Sequence, residues 1–141
     1  MTAEREERDP QRIETPEYAC WMGDDGIVRF SLSPDTIVDL DFAQQAKASI
    51  QELMRDRPRP LLVWLDEAKS MTRGAREHLT GMEGPSAVGL VVNSPIARAI
   101  GGMFVGLSKH FLYPLKMFAV EKDAVEWLVE FAEQNAGDGE T

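Results

Sequence analysis

Three apolar runs in the second half of the chain are each followed by a polar cap and a helix-forming stretch, and this rhythm limits the fold more than any other feature. The run "LLVWL" (61–65) precedes Asp66 and a short helix expected over 72–80, closed by Gly81. The run "AVGLVV" (87–92) precedes Asn93 and Ser94. The run "LKMFAV" (115–120) precedes a last helix in which Ala124, Trp127, Leu128 and Phe131 recur at i, i+3, i+4 and i+7. Runs without apolar–polar alternation read as strands buried on both faces, the pattern of parallel sheets covered by helices. Three such β-α units in a row predict a right-handed, partly parallel sheet.

The first half supplies a different start. "YACWM" and "IVRFSL" are two short β-prone runs around Gly23, Asp24, Asp25 and Gly26, which predicts a hairpin. Ala43, Ala46, Ile50 and Leu53 then recur at helical spacing behind Asp41, read as the N-cap, and Pro58 and Pro60 end the pattern. Residues 1–12, "MTAEREERDPQR", hold no large apolar side chain beyond the initiator and read as a disordered charged tail. The closing "AGDGET" (136–141) reads as a frayed end, which leaves one domain over 13–135.

Charge narrows the partners. With 24 acidic against 15 basic side chains, the formal net charge of -9 repels phosphate backbones and anionic lipid heads, so nucleic acid is not an expected partner. Cys20 is the single cysteine and cannot form an internal disulfide, and the N-terminus lacks the basic-then-apolar layout of a secretion signal. The cytoplasm is the expected location. The longest weakly charged run, 99–108, falls short of the roughly 20 residues a membrane span requires, so no transmembrane segment is expected.

That run belongs to "NSPIARAIGGMFVGLSK" (93–109), whose start is a helix signal: the Ser94 hydroxyl can cap a free N–H, and Pro95 suits the first turn. Along the helix, Ile96, Ile100, Met103 and Leu107 form one stripe, and Ala99, Gly102 and Gly106 form a strip of small residues. Glycine costs a helix about 1 kcal/mol relative to alanine, so such a strip marks a close approach. Either the strip packs against the protein's own sheet or a neighbouring helix, or Ala99, Gly102, Met103, Phe104 and Gly106 form a self-association face or an apolar ligand groove.

Few residues offer chemistry. The glycines from Gly101 to Gly106 lie inside a helix and lack the terminal Gly-Lys-Ser/Thr of a phosphate-binding loop. His78, His110 and Cys20 have no zinc-ligand spacing, and no Gly-x-Ser-x-Gly elbow is present, so neither a metal, a cofactor nor a nucleophilic centre is expected. Asp39, Asp41, Glu121 and Asp123 fall at helix starts, where capping and the helix dipole explain them.

One cluster stands out. In open α/β sheets, ligands and partners dock outside the carboxyl ends of the parallel strands. Asp66 follows the first buried strand, Asn93 and Ser94 follow the second, and Thr72 opens the intervening helix. If the two strands are neighbours, these groups meet at one edge of the sheet. The plainer reading is that Thr72 and Ser94 only cap helices and Asp66 only forms a turn. Asp66 has no paired partner group of the sort acid–base catalysis needs.

The element order, together with "LLVWLDEAKSMTRGAREHLTG" (61–81), resembles the STAS domains typified by SpoIIAA, an anti-sigma factor antagonist. "VNSPIARAIGGMFVGLSK" (92–109) and "YPLKMFAVEKDAVEWL" (113–128) are similar to a SpoIIAA-like, STAS/SEC14-like group of small bacterial proteins. The resemblance implies a single STAS-like α/β domain with a mixed, partly parallel sheet of about five strands packed with about four helices. It also implies a non-enzymatic regulatory module that binds a protein partner, and the SEC14-like label adds the alternative of a carrier for a small apolar ligand or lipid. Self-pairing as a homodimer is compatible with either. In the antagonists, a serine in an Asp-Ser-Ser-Gly motif at a helix start is phosphorylated. The matching stretch here is Met71-Thr72-Arg73-Gly74, which lacks the aspartate and the usual serine. Thr72 is the nearest hydroxyl and Ser70 the second, with Arg73 and Arg76 placed to hold a phosphate.

Overall fold

A computed structural model describes residues 12–140. Strands β1 (Arg12–Glu14), β2 (Tyr18–Met22) and β3 (Val28–Leu32) open the chain, then β4 (Thr36–Val38) and α1 (Leu40–Leu53). Next come β5 (Arg59–Trp64), β6 (Ala68–Met71), α2 (Arg73–Thr80), β7 (Pro85–Val91), α3 (Pro95–Gly106), a single 3-10 turn (Ser108–His110), β8 (Leu115–Phe118) and α4 (Glu121–Glu140).

The main sheet has six strands in the order β1-β2-β3-β5-β7-β8. The β1–β2 and β2–β3 pairs are antiparallel, and the β3–β5, β5–β7 and β7–β8 pairs are parallel. The expected hairpin is present: the Gly23 N–H donates to the Ile27 carbonyl at 2.9 Å, and Gly26 takes φ 83°, a left-handed conformation that suits glycine. The four helices match expectation, whereas β1 and a separate two-stranded parallel sheet of β4 and β6 add to the strands foreseen. The charged tail expected over 1–12 lies outside the described residues except for Arg12, which pairs with Trp21 in β1. Helix α4 includes the segment read as a frayed end up to Glu140, and residue 141 lies outside the described residues.

Alternation along the central strands sorts side chains into two cores. Leu61 and Leu65 of the β5 segment and Val88, Leu90 and Val92 of the β7 segment face α1, α2 and α3. Leu62, Ala87 and Val91 face α4, which covers them with Ala124 and Leu128. The absent side chain of Gly89 admits Leu128, whose Cδ1 would lie 3.2 Å from a Cβ there. β8 is the last strand of the sheet and only partly buried, not covered on both faces as its apolar run implied.

Helix α1 starts two residues earlier than its sequence suggested. Asp39, not Asp41, is the cap: its Oδ1 accepts the Phe42 N–H at 2.9 Å, while Asp41 lies in the first turn. Tyr18 ties α1 to β2, its hydroxyl lying 2.6 Å from Ser49 Oγ and donating to the Gln45 carbonyl at 3.2 Å.

The larger core is not completely filled. A cavity of about 90 Å³ lies over the sheet beneath α1, with Val63 in its floor and Phe104, Phe111 and Tyr113 in its walls.

Candidate functional site

β5 and β7 are neighbours, the condition on which the sequence reading brought their carboxyl ends together. The Leu65 N–H donates to the Val91 carbonyl at 3.1 Å, which keeps the two chains together beyond the last paired residues. Asp66 follows immediately. Its Oδ1 accepts the N–H groups of Asn93 at 2.6 Å and Ser94 at 2.9 Å, and its Oδ2 accepts the Asn93 side-chain amide at 3.3 Å. Ser94 Oγ in turn accepts the Ala97 N–H at 3.0 Å and caps α3. Burial raises the Asp66 pKa, but the Ser94 and Asn93 donors and the Arg98 charge outweigh it and hold the carboxyl below its ordinary value. The group stays ionised and acts as a strut between two loops.

Thr72 does not join this cluster. β6 carries the chain away from Asp66, and the Thr72 N–H donates to the Val38 carbonyl at 2.9 Å, which places it beyond the small β4–β6 sheet. Its exposed side chain accepts the Ala75 N–H at 3.2 Å and caps α2. Ser70 is exposed on β6 opposite Ile37. Arg73 pairs with Glu77 at 2.9 Å, and Arg76 Nη1 donates to the Met103 sulfur at 3.0 Å, so α2 and α3 touch through the Arg76 side chain.

A groove flanks these residues. A surface cleft of about 350 Å³ is lined by Pro34, Asp35, Asp66, Glu67, Lys69 and Ile96, among others. Asp35 at its rim has φ 59°, the one non-glycine residue in the left-handed region among the described residues. Ile96 (48%) lines the cleft, and Ile37 (50%), Leu40 (43%) and Met103 (37%) are also exposed. Ile37 opposes Ser70 on β6, Leu40 lies beside Gly74, Met103 receives Arg76, and Ile96 shares the cleft lining with Ala68 and Lys69, so each of the four lies by β6 or α2. Sequence reasoning did not find Ile37 or Leu40. For Ile37 the signal was an apolar residue flanked two places away by Asp35 and Asp39; Leu40, with Val38 and Phe42 buried on either side, gave none.

The small-residue strip of α3 is the main correction. Ala99, Gly102 and Gly106 are exposed, and a Cβ at Gly102 or Gly106 would meet nothing within 4 Å. The close approach is at Gly101, where a Cβ would lie 2.6 Å from the Met117 sulfur and 3.2 Å from Val92 Cγ1. Ala97, Ile100, Gly101 and Phe104 form the buried face, so Ile96 and Met103 drop out of the expected stripe. Phe104 is parted from Ala99, Gly102, Met103 and Gly106: it points into the core and walls the cavity.

On the opposite face of the sheet, Trp21 and Trp64 stack at 6.0 Å with Arg12 5.0 Å from the Trp21 ring, and Lys116 lies 5.4 Å from Phe118 and 5.8 Å from Trp127. Among the described residues, no group of three or more His, Cys, Asp or Glu side chains is placed to hold a metal, and no helix is long and apolar enough to cross a membrane.

No curated protein matches the chain. Among solved structures, an uncharacterized protein of the DUF3478 family with a SpoIIAA-like fold from Shewanella loihica PV-4 aligns with a TM-score of 0.55. The two are 13% identical, and the alignment covers 82% of this chain and 98% of that one. An anti-sigma factor antagonist from Mycobacterium paratuberculosis aligns with the same TM-score of 0.55 at 20% identity, over 82% of this chain and 98% of the other. The fold is thus SpoIIAA-like, the STAS architecture that the sequence resembled. A family model matches residues 20–132, from the core of β2 to the middle of α4. With nearly all of its folded part within that match, the chain belongs to the family of the domain of unknown function DUF7793.

Proposed function

We propose that the chain is a non-enzymatic regulatory module that binds a protein partner through the face made by β4, β6 and the starts of α2 and α3. The observation that carries this reading is the grouping of Ile37, Leu40, Ile96 and Met103, all exposed, around β6. Scattered apolar residues are normal on a surface, but a group of them rimmed by charge on so acidic a chain is the composition of an interface. The likeness in fold to an anti-sigma factor antagonist supports the same reading. Asp66, Asn93 and Ser94 serve here by holding the β5 and β7 loops in register beneath Ile96. A carboxylate engaged by backbone donors and kept ionised is poorly suited to acid–base catalysis, which favours a binding role over an enzymatic one.

Phosphorylation at Thr72 is the finer form of this proposal. A phosphate there would stand at the N-terminus of α2, where free N–H groups favour an anion. Arg73 is tied only to Glu77 at the surface and Arg76 only to a weak sulfur acceptor, so both can turn toward it. Ser70 is the alternative acceptor on the same face. A lipid carrier is not favoured, because the glycine strip opens to solvent and the internal cavity of about 90 Å³ is far smaller than an acyl chain.

The test is gentle recovery of the protein from its own cells, with native mass spectrometry of the wild type and of an Ile96→Asp, Leu40→Glu double variant. A second polypeptide bound to the wild type and absent from a variant with unchanged melting temperature supports the reading. Equal retention by both, or pairing only with a second copy, overturns it.

A further inference from the structure

Val63 occupies the centre of the main sheet, opposite Phe30 on β3 and Leu90 on β7. Its neighbours are closed off: Phe30 is 3% exposed, Leu61 2%, Leu65 5% and Leu90 4%. Val63 is nevertheless only partly buried. A residue walled by strands on both sides gains exposure only through the layer above it, so the helices over β5 leave an opening there. The cavity of about 90 Å³ fills that opening. Its floor is the sheet, and its roof is α1 and Leu79 of α2, with Phe104 of α3 at one end. Met71, Leu79, Phe111 and Leu115 of the lining are themselves partly exposed, which marks a route to solvent between α2 and the segment that precedes β8.

The walls define the ligand. Every lining side chain is a hydrocarbon, an aromatic ring or a methionine apart from the Tyr113 hydroxyl, and burial pushes that phenol up to about 12. Nothing in the wall can pair with a charge, so a charged group would enter at the full cost of its desolvation. Water fares poorly as well, because it needs two to four polar partners and the Tyr113 hydroxyl is the one side-chain polar group in the lining. An apolar cavity of about 150 Å³ takes up benzene or xenon from water, and the smaller space here sets a single ring as the upper limit.

We infer that this cavity is a binding site for a small, uncharged, apolar molecule no larger than a single ring, entering beside Leu79 and Phe111. The site lies beneath the face around β6, sharing Val38 and Met71 with those strands, but its test does not depend on the proposed partner.

Benzene and xenon are the probes, read by methyl NMR titration of the full chain and by thermal melting. Saturable shifts are expected at the methyls of Val63, Leu79 and Leu115, with a rise in melting temperature of roughly 3 °C in benzene-saturated buffer. Val63→Phe fills the space and should abolish both responses. If that variant does not fold, Leu79→Phe narrows the entrance and should weaken benzene uptake at least roughly tenfold. The inference is overturned by an absence of saturable shifts, by shifts confined to Ile96 and Met103 on the surface, or by a benzene response that survives substitution. Palmitate competing with benzene would overturn the assigned ligand class.

Discussion

Asp66 and Ser94 are 28 residues apart and are joined by a hydrogen bond of 2.9 Å from the Ser94 N–H to Asp66 Oδ1, which fastens the end of β5 to the start of α3. Replacing Asp66 with Asn removes the charge and at least one well-placed acceptor, and should cost about 1 kcal/mol. For a chain of this size that is a fall of roughly 3–5 °C in melting temperature, measured by calorimetry. The pH dependence follows from the lowered Asp66 pKa. A carboxyl held below its ordinary value contributes stability that is complete above that value and is lost as pH falls through the folded one. The gap between wild type and Asp66→Asn should therefore be constant from roughly pH 5 to 8 and shrink in acid. A gap that widens in acid would contradict this account.

Two adjacent glycines on α3 should respond in opposite ways. Gly102→Ala adds a side chain into open space and should stabilise the helix by up to about 1 kcal/mol. Gly101→Ala gains the same helix propensity but drives its Cβ against Met117 and Val92, with a net loss of about 1 kcal/mol. Urea melts of the two variants decide it, and equal shifts would show that the buried face of α3 is misassigned.

Thr72→Ala should cost about 1 kcal/mol through loss of the cap on α2, whereas Thr72→Asp retains an acceptor for the Ala75 N–H and should leave the melting temperature nearly unchanged. A change in partner binding by Thr72→Asp can then be assigned to charge and not to unfolding. The check is a thermal melt of both variants beside the wild type.

Cys20 is fully buried in β2, and burial pushes its thiol up to about 12. The native protein at pH 8 should resist a thiol reagent, with labelling that tracks global unfolding across a denaturant series. Rapid labelling without denaturant would show that β2 opens locally.

The parts of this fold legible in the sequence were those fixed by local chemistry. The Ser94-Pro95 start of α3, the Thr72 cap of α2 and the buried runs at β5 and β7 each show in a few consecutive residues. The meeting of Asp66 with Asn93 and Ser94 followed from one topological assumption, the pairing of β5 with β7. β6 was illegible because "AKSM" has Lys69 and Ser70 exposed and no alternating apolar pattern; it is a strand because β4 supplies a parallel partner from 32 residues earlier. For α3, Ile96, Ile100, Met103 and Leu107 gave an apolar stripe as credible as the real one. The face at Ala97, Ile100, Gly101 and Phe104, spaced i, i+3, i+4, i+7, fits a helix as well as that stripe, spaced i, i+4, i+7, i+11, and only the position of Met117 and Val92 selects it. Asp39 and Asp41 were equally eligible caps until the backbone at Asp39 proved extended. The cavity over Val63 left no trace in the sequence, because a void is a property of many side chains together.

The strand order of the main sheet, β1-β2-β3-β5-β7-β8, is also the order in which a ribosome releases those strands. Each new strand adds to the edge left by the previous one, and none has to be inserted between two already paired. Growth of the sheet can therefore keep step with synthesis. The layer on the α4 side cannot: Leu62, Ala87 and Val91 stay uncovered until Leu128 has emerged, after every strand of the sheet. A nascent chain halted before α4 would present that apolar surface to chaperones, and the interval between release of β7 and docking of α4 is the stage of its biogenesis most exposed to aggregation.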